Sequence, residues 1–322
     1  MNGELTRYED FGEVSDEQME IILRQLFRNN PQRYDKFLAD KEADFAYLSK
    51  GGNPYRVNAF LKTGKLGAVL RKIDLEPRNL EDIMFQTQLQ SIKDNILQAK
   101  KGLFLVTGPT GAGKSTTIVA MLEEINRSQP YHIISIEDPI EYIFKPKKSL
   151  ISQRELGHDT WSFSNAIKSA LREDPDVIFV GEIRNVETAE AVLDLAETGH
   201  LVFSTLHTNS APSSINRFLS FFPSDMQLGI LDRLGDALSG ILSQTLVKKK
   251  DGLGRIAVFE LLLNNTAVRN NLKKRTLDQI PNIIETSSQT GMVSTKQYAR
   301  KLQERDLISQ EEVDQLINSR FL

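Results

Sequence analysis

The chain has 322 residues, 40% hydrophobic and 26% charged, which suits about two soluble domains of roughly 150 residues each. Its 40 Lys and Arg against 43 Asp and Glu leave a net charge of −3, so no basic field nominates a general nucleic-acid binder. With no cysteine, disulfides, thiolate nucleophiles and Cys-ligated zinc or iron–sulfur sites are excluded, and four histidines leave little for a metal cluster.

The opening MNGELTRYEDFGEV is acidic and polar where a signal peptide would be basic and then apolar. No run approaches the roughly 18 apolar residues of a membrane span. The expectation is a cytoplasmic protein that reaches any membrane by binding something already in it.

Met19, Ile22, Leu23, Leu26 and Phe27 recur at spacings of three and four, which predicts an amphipathic helix over residues 16–30, ended by Pro31. A second helical stretch runs up to Leu38. Between Ala43 and Ile73, DFAYL and YRVNAFL alternate around Gly51, Gly52, Asn53 and Pro54, the pattern of two strands joined by a tight turn. We read residues 1–75 as a small α+β domain. The polar, aperiodic IDLEPRNLEDI (73–83) supplies a linker at 76–84, before a second domain over 85–322.

From Lys101 onward, short apolar runs alternate with helical segments: GLFLVTG and a helix, HIISIED with a loop and FSNAIKSALRE, DVIFVGE and VETAEAVLDLAE, HLVFSTLH and another helix. Strands apolar on both faces and separated by helices indicate βαβ units on a mainly parallel sheet, an α/β domain. Residues 226–243 read as a further helix, GRIAVFELLL (254–263) as a strand, and the remainder, through KQYARKLQERDLI, as helices.

After GLFLVTG comes Gly108-Pro109-Thr110-Gly111-Ala112-Gly113-Lys114-Ser115-Thr116, which fits G-x-x-x-x-G-K-[ST] and leads into a helix. Its four fixed positions would coincide by chance in about one chain of this length in 100. The glycines let backbone N–H groups converge on phosphate, Lys114 reaches the β- and γ-phosphates, and Ser115 offers a hydroxyl to Mg²⁺. This predicts a nucleoside triphosphate site for ATP and Mg²⁺.

The strand DVIFVGE ends in Glu182, preceded by Gly181 where many P-loop enzymes keep a magnesium-holding aspartate. Glu182 is then placed to orient or deprotonate an attacking water; the alternative is a solvated carboxylate at a strand end. Glu137, Asp138 and Glu141 crowd three acids into five residues at the same edge, which favours a magnesium or water-positioning role unless the loop is simply acidic. His200 and His207 bracket the next strand, roughly 23 Å apart and on opposite faces. His207 is the candidate γ-phosphate sensor, and His200 reads as a structural histidine.

GPTGAGKST, IEDPIEYIF, ISQREL, ALREDPDVIFVGEIR and AETGHLVFSTLHTN, in this order and spacing, resemble the secretion ATPase superfamily, in particular its type IV pilus retraction (twitching-motility, PilT-like) ATPases. The resemblance implies a homohexameric ring with a PAS-like N-terminal domain and a RecA-like P-loop domain. It implies work on an inner-membrane platform protein and, indirectly, on the pilin fibre; the charge balance adds the expectation of no nucleic-acid partner. It matches Glu141 to the family's acidic box, Glu182 to its catalytic glutamate and His200 and His207 to its histidine box. In YRVNAF and AVLRKI, it matches Arg56 and Arg71 to arginines that face nucleotide bound by a neighbouring subunit.

Four departures stand out. A strand with which family members usually begin has no counterpart, so a shortened first domain is expected. KTG stands where an arginine commonly follows VNAF, and the retraction motif reads AVRNNLKK (267–274), keeping Arg269 and Asn270. The absence of cysteine separates the chain from pilus-assembly and type II secretion relatives with a tetracysteine zinc insert. An accessory retraction paralogue, another secretion ATPase, a RecA-like nucleic-acid translocase and a nucleotide-binding scaffold are the competing readings. Lys248–Lys250 is too small a basic cluster for the translocase, and Lys114 with Glu182 argues against the scaffold.

Overall fold

The structure is a computed structural model and describes residues 12–28, 30–73 and 77–318. The polar opening up to residue 11 and residues 74–76, the last of which begins the expected linker, lie outside the described residues. Contacts divide the chain into two units, Met1–Leu75 with Pro139–Tyr142, and Glu76–Asp138 with Ile143–Leu322.

In the first unit, helices α1 (Asp16–Leu26) and α2 (Pro31–Asp40) precede strands β1 (Glu42–Leu48), β2 (Pro54–Lys62) and β3 (Lys65–Lys72). Helix α1 stops short of the expected end, and Pro31 opens α2 instead of ending α1. Proline at the first helical position gives up no hydrogen bond there, and the Asn30 side chain caps the start by accepting from Arg33 N. The strands form an antiparallel sheet in the order β1-β2-β3, one strand more than the two expected. Strand β3 is exposed along most of its length and so lacks the apolar signal. KTG proves to be its hairpin: Lys62 pairs with Lys65, and Thr63 and Gly64 both have positive φ, 54° and 76°, as a two-residue hairpin turn requires. Phe27, Phe37 and Phe45 form the centre of this unit's core, with Phe27 4.5 Å from Phe45 between ring centroids.

The second unit begins with residues expected as linker, but Leu80 and Met84 are buried in it. It continues through α3 (Gln86–Ile92), β4 (Gly102–Thr107), α4 (Lys114–Ser128), β5 (His132–Glu137), β6 (Leu150–Glu155), α5 (Phe163–Ala170), β7 (Val177–Val180), α6 (Val186–Glu197), β8 (Leu201–Leu206) and α7 (Ala211–Leu219). After these come α8 (Gln227–Ala237), β9 (Leu238–Lys248), β10 (Arg255–Leu263) and four helices, α9 (Thr266–Lys273), α10 (Ile280–Thr286), α11 (Thr295–Glu304) and α12 (Gln310–Asn318). The seven-stranded sheet has the order β10-β9-β4-β8-β7-β5-β6. It is parallel except for β10, which runs antiparallel to β9. This is the mixed α/β architecture with a mainly parallel sheet that the sequence predicts.

Two elements correct the sequence expectation. The helix expected over 226–243 ends at Ala237, and Leu238 onward is β9. Covered on both faces, that strand carries an apolar run that fits a helix as well as a strand. Gly240 allows the close approach to β10, since a Cβ there would lie 2.6 Å from Leu262 O. Strand β6 was expected as loop; as an edge strand with the polar sequence LISQRE, it shows no apolar periodicity. Among the described residues, no helix is long and apolar enough to cross a membrane.

Candidate active site

In open α/β sheets, ligands bind beyond the carboxyl ends of the strands. Here that edge collects the P-loop after β4, Asp138 after β5, Glu182 after β7 and His207 after β8. Strand β4 is buried throughout and anchors the loop from Gly108 to Gly113. The loop needs its glycines. Gly108 has φ 151° and a Cβ there would lie 2.3 Å from Gln244 O, while Gly111 and Gly113 have φ 76° and 86°. Within the loop Pro109, Thr110 and Gly111 are exposed and Ala112 is buried; Ser115 and Thr116 stand in the first turn of α4.

A line of close polar contacts joins four strand ends. Lys114 Nζ donates to Gly108 O at 2.7 Å and Pro109 O at 3.2 Å, and lies 3.3 Å from His207 Nδ1. An ammonium cannot accept, so Nδ1 is the acceptor and the imidazole proton sits on Nε2. Nε2, on the other side of the ring, lies 3.2 Å from Glu182 Oε1. The other oxygen, Glu182 Oε2, accepts from Arg184 Nε at 3.0 Å, and Arg184 Nη1 donates to Asp138 Oδ2 at 3.1 Å. Burial works against the Arg184 charge, but hydrogen bonds to Glu182 and Asp138 hold its pKa above the ordinary arginine value.

The backbone around Glu182 is pinned on both sides. Gly181 N donates to Ile136 O at 2.8 Å, Ile183 N to Thr205 O at 3.2 Å, and Thr205 Oγ1 to Gly181 O at 2.7 Å. A Cβ on Gly181 would lie 3.3 Å from Ile136 O, which leaves little room for the aspartate other P-loop enzymes carry there. The Glu182 side chain is 22% exposed and His207 46%, so both reach solvent from a fixed frame.

The three neighbouring acids find protein partners. Buried Glu137 accepts from Ser135 Oγ at 2.7 Å, Asp138 pairs with Arg184, and Glu141 pairs with Arg56 Nη1 at 3.1 Å. Arginines pair with Asp138 and Glu141, at the edge for which the sequence suggests a magnesium or water-positioning role.

Glu141 and Arg56 both belong to the first unit, outside the line of contacts that runs from Lys114 to Asp138. There Arg56 and Arg71 stand opposite each other on β2 and β3. Like charges in that register repel, and Glu141 relieves Arg56; Arg71 is exposed. His200, at the amino end of β8, turns Nδ1 to Leu195 O at 3.0 Å. Asp176 accepts from His132 N at 2.8 Å and ties the starts of β5 and β7 together.

Sequence reasoning missed Arg184 and Gln244. Arg184 stands in VGEIR, two residues after the candidate base, and that spacing was its only signal. Gln244 donates from Nε2 to Ala112 O at 2.6 Å and had no signal, lying 132 residues away in a strand expected as helix up to Ser243.

The profile of the Type II/IV secretion system protein family (T2SSE) matches residues 56–271. A twitching motility protein of Neisseria gonorrhoeae is 40% identical over 311 residues, 97% of this chain and 81% of that protein. The type IV pilus retractation ATPase PilT of Pseudomonas aeruginosa is 41% identical over 285 residues, 88% of this chain and 80% of that one. The crystal structure of the pilus retraction motor PilT with bound ADP superposes with a TM-score of 0.88 at 39% identity, covering 98% of this chain and 88% of the other. A phosphate loop with lysine, histidine and glutamate in close contact beside it suits a nucleotide hydrolase, and the profile spans both: the chain belongs to the type II/IV secretion system protein family, as one of its ATPases.

Proposed function

We propose that this protein is the ATP-driven motor of type IV pilus retraction, and hence of twitching motility. It works as a homohexameric ring in the cytoplasm, on an inner-membrane platform protein and through it on the pilin fibre. The observation that carries the reading is the line of polar contacts Lys114–His207–Glu182–Arg184–Asp138, each within 3.3 Å of the next, at the carboxyl edge of the sheet. Similarity to a twitching motility protein and a pilus retraction ATPase over most of the length supports the choice of motor.

In the cycle we infer, the backbone N–H groups of the phosphate loop hold the ATP phosphates, and Lys114 leaves the Gly108 and Pro109 carbonyls for the β- and γ-phosphate oxygens. Glu182 orients or deprotonates the attacking water, and His207 reports the γ-phosphate to it. The described residues include no group of three or more His, Cys, Asp or Glu able to hold a metal. That suits Mg²⁺, which takes few protein ligands and completes its shell with phosphate and water; Ser115 is the residue to hold it. When bound, Mg²⁺ neutralises charge on the phosphates. Arg56 and Arg71, held on the first unit's sheet, act on nucleotide bound by a neighbouring subunit, and Glu141 is the resting partner of Arg56.

Assembly mass with a non-hydrolysable ATP analogue tests the ring, and mixing Arg71→Ala with Glu182→Gln subunits tests shared sites. Six copies and activity that reappears on mixing support the reading. A single copy that turns over ATP, or mixed rings as inactive as their components, contradicts it. Deleting the gene in its host should leave pili that no longer retract; loss of the pili themselves contradicts a retraction role.

A further inference from the structure

When the N–H groups of a phosphate loop face inward, its carbonyls face outward and need partners of their own. Those of Gly108 and Pro109 accept from Lys114 Nζ, the group that must turn to phosphate. The carbonyl of Ala112 accepts instead from Gln244 Nε2 at 2.6 Å. Gln244 is uncharged, sits in β9 and is 4% exposed, so its bond does not depend on what the loop holds. The amide can face only one way. Ala112 O accepts and never donates, so the NH₂ must meet it, and Oε1 is left without a hydrogen-bond partner among the described residues.

The same residue crowds the loop from behind. A Cβ on Gly108 would lie 2.3 Å from Gln244 O, and one on Gly113 would lie 3.1 Å from Gln244 Nε2. Two of the three loop glycines are thus shaped against this one residue, at the two ends of the turn. Its neighbour Ser243 takes no part in this: its hydroxyl bonds Thr107 Oγ1 at 2.8 Å within the sheet.

From these contacts we infer that Gln244 is a positioning residue for nucleotide binding, holding the Ala112–Gly113 peptide so that the loop's N–H groups stay aimed at phosphate. The inference rests on phosphate binding by the loop and adds to it a residue from a distant strand. Without the donor the Ala112–Gly113 peptide is free to turn from that orientation, and re-ordering it on binding costs about tenfold in affinity. The loss falls on ground state and transition state alike, so it is read in Kd and KM and not in kcat.

The test measures Kd for ADP by calorimetry and steady-state ATPase kinetics on the full chain. Gln244→Met keeps the length without the donor, Gln244→Glu keeps the shape but sets a carboxylate against Ala112 O, and Ser243→Ala is the control in the same strand. We expect Kd and KM to rise about tenfold in Gln244→Met and further in Gln244→Glu, with kcat at saturating ATP within about twofold and Ser243→Ala near the unaltered protein. An unchanged Kd in Gln244→Met overturns the proposal. So does an equal rise in Ser243→Ala, a fall in kcat at constant KM, or loss of folding in both Gln244 variants, which would make Gln244 a core residue only. If the unaltered protein binds no ADP, the nucleotide site itself falls, an outcome distinct from all of these.

Discussion

The two ends of β8 carry the same residue type and put it to different uses. At the carboxyl end His207 is nearly half exposed and stands between an ammonium and a carboxylate, 3.3 Å from Lys114 Nζ and 3.2 Å from Glu182 Oε1. At the amino end His200 bonds a backbone carbonyl, Leu195 O, and neighbours Thr198 Oγ1 at 3.3 Å. What separates them is the polarity of a parallel sheet. The strand ends that gather charged side chains from β4, β5, β7 and β8 lie on one edge, and the opposite edge is left to close loops.

Three substitutions sharpen that contrast, the largest effect first. Lys114→Ala removes a charge that meets phosphate in ground and transition states alike, so ADP binding and kcat/KM should both fall, the latter by about 10² or more. Isothermal titration with ADP alongside ATPase rates checks both, and normal ADP affinity would take Lys114 out of the ground state. His207→Ala breaks the link between Lys114 and Glu182 and should lower kcat roughly 10-fold or more with a smaller change in ADP affinity. His200→Ala should leave kcat within about twofold and cost about 1 kcal/mol of stability, the worth of one hydrogen bond, in a urea titration. A large kcat loss in His200→Ala would erase the distinction between the two edges.

The sequence carried most of the carboxyl edge, because its side chains sit next to strong local patterns. The phosphate loop follows a fully apolar strand, Glu182 follows VIFV, and His207 follows LVFSTL. What stayed hidden depended on register. The pairing of β9 with β4 sets Ser243 beside Thr107 and so brings Gln244 under the loop, yet nothing in LSGILSQTLVK distinguishes that strand from a buried helix. Strands β3 and β6 lacked apolar periodicity because both are sheet edges. The partners of the acids were equally out of reach. Arg184 meets Asp138 across β5 and β7, and Arg56 meets Glu141 across 85 positions. Local charge counting can see the repulsion among Glu137, Asp138 and Glu141 but not the groups that relieve it.

The account stands or falls on Glu182, whose two oxygens take the ends of the histidine and arginine arms. Glu182→Gln keeps the side chain's size and removes the base, so turnover at saturating ATP should fall by about 10² or more while Kd for ADP stays within about threefold of the unaltered protein. Near-normal turnover in a folded, ADP-binding Glu182→Gln protein would contradict it.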